Sequence, residues 1–177
     1  GRKAIVARLF DDIVELVRED TDRPVLVIDY AGGPGNLTEI LLKTIFELSD
    51  RDLKGRLLHS VRTVVVDIAE DQLEAGRKRF DCLDRKAPYH GIRNRIAFIR
   101  ADVTKPLDRF LKIRTEAEFS KEMSIPVYLG MTAYTLGALD NIRNEDGSTC
   151  AQAMAREISR QCSRLYAVDF SSPLWRL

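Results

Sequence analysis

Residues 29–35 read DYAGGPG and stand between the apolar run VLVI at 25–28 and the segment NLTEILLKTIFEL. A strand that turns at once into a helix forces the backbone through a tight bend, which glycine tolerates because it lacks Cβ. Glycines there also let a ligand approach the backbone with no side chain in the way. The helix that follows aims its free N–H groups and the positive end of its dipole at the bend. That geometry binds an anionic or carboxylate-bearing ligand. A tight β-to-α loop that binds nothing would use the same residues. The second feature is Asp67, at the end of the apolar run TVVV at 63–66. An acid at a strand tip is placed to hydrogen-bond two ribose hydroxyls, although a helix N-cap aspartate occupies the same kind of position. The turn and the acid together point to a nucleoside.

The elements that must position these residues follow from periodicity. Residues 3–19 carry Ile5, Leu9, Ile13, Leu16 and Val17 at helical spacing, and the TDRP that follows ends that helix. VLVI then reads as a strand buried on both faces, the mark of a parallel sheet. Asn36 is expected to cap a helix running to about Leu48. Residues 49–60 read as a polar connection with room for a short helical turn. TVVV is the second strand, with a helix from about Glu70 to Leu83 after it. Residues 84–94 form a loop and IAFI at 96–99 the third strand. KPLDRFLKI at 105–113 is expected to be helical from Pro106. IPVYLG at 125–130, a helix over 149–164 and LYAVDF at 165–170 complete the series. Strands alternating with helices imply an open, mostly parallel α/β sheet.

Four segments in order resemble class I S-adenosylmethionine-dependent methyltransferases: VLVIDYAGGPGNLT, VVVDIAEDQLEAGRKR, IAFIRADVTKPL and PVYLGMTAYTLGAL. RLYAVDF is similar to the family's fifth strand, so the likeness covers roughly residues 5–170. The resemblance implies a Rossmann-like three-layer αβα sandwich, with a parallel sheet of order 3-2-1-4-5, and S-adenosyl-L-methionine as cofactor. It implies that Asp29, Ala31, Gly32, Gly33, Gly35 and Asn36 from the first motif bind that cofactor, with Asp67 and Ile68 from the second. Asp67 would take the ribose. Asp102 and Val103 would flank the adenine, and Gly130 and Met131 would approach the methyl donor. No metal is implied and no catalytic residue is singled out. Asp67 follows Gly35 by 32 residues. A dinucleotide fold places its acid about 20 residues on, which argues against a nicotinamide-dependent oxidoreductase. A non-catalytic methyltransferase-like scaffold or interaction module is the competing reading.

The sequence departs from the family in two places. Ala31 stands where the family usually has its first glycine, and the large Tyr30 would pack beneath the cofactor or stand in its way. The family's sheet also has two more strands, ordered 3-2-1-4-5-7-6. The seven residues SSPLWRL after the fifth strand are too few for that hairpin. The expectation is a missing hairpin and an exposed fifth-strand edge, covered by a protein partner or by a segment of a longer enzyme or complex. Leu174, Trp175 and Leu177 are candidates for that contact. Gly1 is not a natural start and reads as an expression scar, a processing product or the edge of an excised domain.

The methyl acceptor is approached by elimination. The fourth-strand loop, Met131-Thr132-Ala133-Tyr134, lacks an Asn/Asp-Pro-Pro-Tyr motif and a Pro-Cys nucleophile. It also lacks the aspartate of the ribose methyltransferase set, so a small molecule or a protein is the default. Tyr134 and Asp140 are the polar residues nearest the expected substrate side, with packing and capping as their plainer roles. His90 reads as a surface residue.

The 177 residues suit one domain, with an N-terminal helix to residue 20, a core over 21–170 and a tail over 171–177. A net charge of +1 predicts no overall attraction to nucleic acid or to an acidic membrane. Residues 76–100 hold eight basic residues against Asp81 and Asp84. A basic face of that kind contacts RNA phosphates, or is simply solvated, and the second reading is favoured. Arg156, Arg160 and Arg164 have the spacing of one helix face. No apolar run approaches the length of a membrane span, and the N-terminus does not look like a signal peptide. Cys82, Cys150 and Cys162 are too far apart for a C-x-x-C site and read as reduced packing residues of a cytoplasmic protein.

Overall fold

Val, Ile and Leu runs with no polar alternation can be buried on both sides, and the strands they form lie in the middle of three layers. The computed structural model describes residues 1–119, 126–133 and 143–167. Tyr134, Asp140, Leu174, Trp175 and Leu177 lie outside them, as does residue 168 onward, where the hairpin expectation falls. The elements are α1 (Arg2–Glu19), β1 (Val25–Tyr30), α2 (Asn36–Phe46), α3 (Arg51–Ser60), β2 (Val61–Asp67) and α4 (Glu70–Asp84). There follow a 3₁₀ turn (Ile92–Arg95), β3 (Ile96–Arg100), α5 (Asp108–Phe119), β4 (Val127–Thr132), α6 (Cys150–Gln161) and β5 (Arg164–Ala167).

The five strands form one sheet in the order β3-β2-β1-β4-β5. Every pairing is parallel, with Asp29 opposite Val65 on one side and Met131 on the other. This is the expected Rossmann-like αβα sandwich. Alternation along each strand divides the core. Val25, Val27, Val65 and Phe98 face α1 to α4, whereas Leu26, Ile28, Val64 and Ile99 face Leu111 of α5 and Met154 and Ile158 of α6. The chain leaves β1 toward β2 on one side and returns to β4 on the other. Right-handed crossovers therefore put the helices of the two halves on opposite faces. Beyond the strand ends, the space between β1 and β4 is left open, the usual place for a ligand in such sheets.

Several local expectations are corrected. Residues 51–60 form a full helix, α3, whose first turn is capped by the Asp50 carboxylate accepting from the Leu53 N–H at 3.0 Å. Gly35, in the left-handed region at φ 77°, replaces Asn36 as the N-cap residue of α2, and that helix stops at Phe46. Helix α5 starts at Asp108, two residues after Pro106. Arg164 is in β5, paired with Asp12 of α1 at 2.9 Å, so it shares no helix face with Arg156 and Arg160. Cys82 is exposed and is not a packing residue. In the basic stretch, Arg77, Lys78, Arg79 and Arg93 are ion-paired with Glu70, Glu74, Glu39 and Asp81. No helix among the described residues is long and apolar enough to cross a membrane.

Helix α4 crosses the sheet at Gly76. A Cβ there would lie 2.5 Å from Phe98 Cε1 and 2.9 Å from the Pro34 carbonyl oxygen. Gly55 in α3 faces open space. Gly76→Ala is expected to destabilise by about 1–3 kcal/mol from overpacking. Gly55→Ala is expected to stabilise by about 0.5–1 kcal/mol from helix propensity alone. Urea unfolding of the two variants beside the parent chain checks the contrast.

Candidate functional site at the strand ends

The glycine turn is built by close approach. A Cβ on Gly32 would lie 2.7 Å from Asp29 Cγ and 2.9 Å from both Asp29 Oδ1 and Val65 Cγ1, so no other residue fits there. The Gly32 N–H donates to the Val66 carbonyl at 3.3 Å, laying the turn across the tips of β1 and β2. Gly35 N–H then donates to the Gly32 carbonyl at 2.9 Å, closing the turn as α2 begins. Ala31 takes φ 51°, the left-handed region that a glycine would occupy without cost.

Asp29 is fully buried. Its Oδ2 accepts from Thr38 Oγ1 at 2.9 Å, and its Oδ1 has no hydrogen-bond partner among the described residues. Burial in the apolar sheet pushes its carboxyl up from an ordinary 3.8 to about 7; the Thr38 bonds oppose this and the Asp67 charge adds to it. Asp67, half-buried at the end of β2, accepts from the Gly33 N–H at 2.8 Å and from the Ala69 N–H at 2.9 Å. Ile68 follows it and is 61% exposed, the one large apolar side chain so exposed among the described residues. Its carbonyl accepts from Arg100 Nε at 3.2 Å. Beyond β3, Asp102 Oδ1 accepts from the Thr104 N–H and hydroxyl at 2.9 and 2.6 Å, while Val103 is buried in the core.

A cleft of about 190 Å³ opens at the ends of β1 and β4, bordered by Asp29, Ala31, Gly32, Gly33, Asn36 and Ala133. Gly130 and Met131 lie inside β4, in register with Ile28 and Asp29, and Met131 is fully buried. The residue at the cleft is Ala133, immediately after β4. Tyr30 points to the other face of the sheet, where its hydroxyl donates to Gln161 Oε1 at 2.6 Å and lies 3.3 Å from Cys162 Sγ. It therefore neither underlies the cleft nor blocks it. Burial raises the Tyr30 hydroxyl far above its ordinary range and the Cys162 thiol to about 11.

Two contributors carry no sequence signal of their own. Thr38 is an ordinary helix residue until the fold sets it against Asp29. Arg79 was one charge in a basic run. From α4 it donates to Asn36 Oδ1 at 2.8 Å and to the Pro34 carbonyl at 2.7 Å, and it pairs with Glu39 at 2.9 Å. It thus clamps the turn from outside.

No known family's sequence profile matches the chain, and no curated protein matches it. Solved structures similar to it include two of the methyltransferase domain of bacterial CtHen1. One has a TM-score of 0.45 at 18% identity, covering 84% of this chain and 56% of that one. The other has a TM-score of 0.44 at 19% identity, covering 83% and 55%. The glycopeptide N-methyltransferase MtfA complexed with sinefungin gives 0.42 at 13% identity, covering 86% and 45%. The chain spans about half the length of each.

Two outcomes follow from the turn. Native Asp29 holds its proton up to about pH 7, whereas the unfolded chain releases it near 3.8. Stability should therefore fall as pH rises from about 4 to about 7, by at most about 1.4 kcal/mol per pH unit, and level off above that. Asp29→Asn should flatten this slope in denaturant titrations across the range. Ala31→Gly relieves the left-handed strain and should raise stability by roughly 0.5–1 kcal/mol, after the greater entropy of glycine in the unfolded chain.

Proposed function

We propose that this chain is the cofactor-binding core of an S-adenosylmethionine-dependent methyltransferase. The observation that carries the reading is a buried carboxylate, Asp29, with one oxygen unpartnered beneath a turn whose glycine leaves no room for a Cβ. Asp67, the exposed Ile68 and Asp102 continue from it along the ends of β2 and β3. These groups suit the cofactor in kind. The glycine turn and Asp29 would hold its amino-acid end, Asp67 its ribose hydroxyls, and Ile68 the apolar face of adenine with Asp102 and Val103 beside it. When bound, the cofactor supplies an electrophilic methyl group on a sulfonium. The protein's part is to bind and orient, since in-line displacement depends on positioning. The acceptor favoured by the composition of the fourth-strand loop is a small molecule or a protein.

A second reading, a methyltransferase-like module that does not catalyse, draws on two observations. Both Asp67 oxygens already accept backbone N–H groups. The cleft, at about 190 Å³, is also smaller than the usual 300–1,000 Å³ of ligand pockets. On the first reading only the amino-acid end enters the cleft, and the nucleoside lies across the open strand ends.

Calorimetric titration with S-adenosylmethionine and S-adenosylhomocysteine separates the two. The expected result is saturable binding in the micromolar to millimolar range usual for enzyme ligands. Asp67→Ala should weaken it by at least about tenfold, the scale of one lost charge-assisted hydrogen bond. No heat of binding at millimolar ligand would sink the cofactor reading, and an unchanged affinity in Asp67→Ala would remove the ribose assignment.

A further inference from the structure

The strands start at the edge of the sheet opposite the cleft, and two arginines meet there. Arg62 is the second residue of β2, and Arg95 ends the 3₁₀ turn that leads into β3. Thr63 Oγ1 donates to the Arg95 carbonyl at 2.9 Å and so ties the two segments together. Arg62 Nη1 donates to the carbonyls of Leu58, His59 and Val61 at 3.1, 3.5 and 2.9 Å, and Arg95 Nη1 donates to the same Leu58 oxygen. Two guanidiniums are thus gathered on one oxygen in the last turn of α3. No ion pair joins either of them to an acid among the described residues. We propose that Arg62 and Arg95 form a binding site for a dianionic phosphate group, carried by the free ion or by a phosphomonoester.

Capping α3 accounts for one guanidinium and not for two. A helix C-terminus carries about −0.5 charge, so the pair leaves an excess of roughly +1.5. Both side chains are half-buried, where water screens their mutual repulsion poorly. Burial and the Arg95 charge push Arg62 down to about 10, and burial lowers Arg95. An oxyanion offsets that repulsion, and the remaining donors suit one. With Nη1 committed to α3, Arg62 keeps its Nε and Nη2, and Arg95 keeps its Nη2. None of the three donates to a described residue. The buried atoms without a partner include Arg95 Nε but none of these three, so they open to solvent. The Nε–Nη2 edge of Arg62 presents two parallel donors, the geometry that phosphate oxygens accept. Two positive charges match a phosphate dianion. The site is remote from Asp29 and Asp67 and does not depend on the cofactor reading.

The test is calorimetric titration of the full chain with inorganic phosphate and, separately, with ribose 5-phosphate, at about pH 8 and constant ionic strength set with chloride. Inorganic phosphate should bind saturably, with a dissociation constant near or below about 1 mM. Ribose 5-phosphate binding as tightly as the free ion identifies a phosphomonoester as the ligand, whereas binding of the free ion alone identifies phosphate itself. Arg62→Gln and Arg95→Gln should each weaken binding by at least about tenfold. Arg62→Lys should recover only part of the loss, since an ammonium lacks the planar fork. Arg156→Gln, which removes an exposed charge from α6, should bind as the parent does. Both arginines also hold α3, so the melting temperature of each variant is measured beside its affinity. Gln variants that melt earlier but bind phosphate like the parent have lost a cap alone, and that result overturns the proposal. If a Gln variant does not fold, Arg62→Lys decides: affinity equal to the parent's overturns the proposal. No saturable phosphate binding by the parent overturns it as well, whatever S-adenosylmethionine does at the cleft.

Discussion

Gly32 sits so close to Asp29 and Val65 that nothing larger than hydrogen fits between them. The rest of the site depends on that approach. It lays residues 31–35 flat across the tips of β1 and β2 and brings the Gly33 N–H to Asp67. It also starts α2 where Thr38 can reach back to Asp29. Helix α4 then packs onto the turn through Gly76 and fastens it through Arg79. Side chains from three elements thus hold one bend, and two of its features oppose stability: a buried, half-satisfied carboxylate and an alanine in the left-handed region. Features of that kind persist where surrounding structure over-determines them, which is characteristic of binding sites.

The sheet supplies the other constraint. Parallel strands need crossovers, and right-handed crossovers to opposite sides of β1 leave a gap between the two sets of connections at the strand ends. Alternation along β1 then separates adjacent residues by role. Asp29 faces the side of α2 and the turn, whereas Tyr30 goes to the opposite face and meets Gln161 and Cys162. The tyrosine next to the turn is therefore part of the core beneath α6.

Much of the fold was legible because burial on both faces demands unbroken apolar runs, and such runs have few other uses. VLVI, TVVV and IAFI mark their strands for that reason. Helix α3 was less legible. Its apolar residues Leu53, Leu57 and Leu58 are spread over a polar segment, and only the Asp50 cap signals where it begins. The cap of α2 was misread because Asn36 is the commoner capping residue. A preceding glycine already in the left-handed region takes the position, which frees Asn36 to accept from Arg79. Arg164 was assigned to a helix by spacing alone. The spacing holds in the sequence, but α6 ends at Gln161 and breaks it.

By itself the sequence determined the glycine turn and the acid at the tip of the next strand. Glycines after a buried strand and an acid at the tip of the next are required by backbone geometry and hydrogen bonding, and both are local properties. Which side chains complete the site was decided only by tertiary structure. Thr38 and Ala133 are far from Asp67 in the chain and follow no period with it, and they converge because parallel strands end together at one edge of the sheet. The unpartnered oxygen of Asp29 belongs to the same class of fact. No sequence pattern shows which hydrogen bonds a buried group fails to make, because that depends on what the other elements leave beside it.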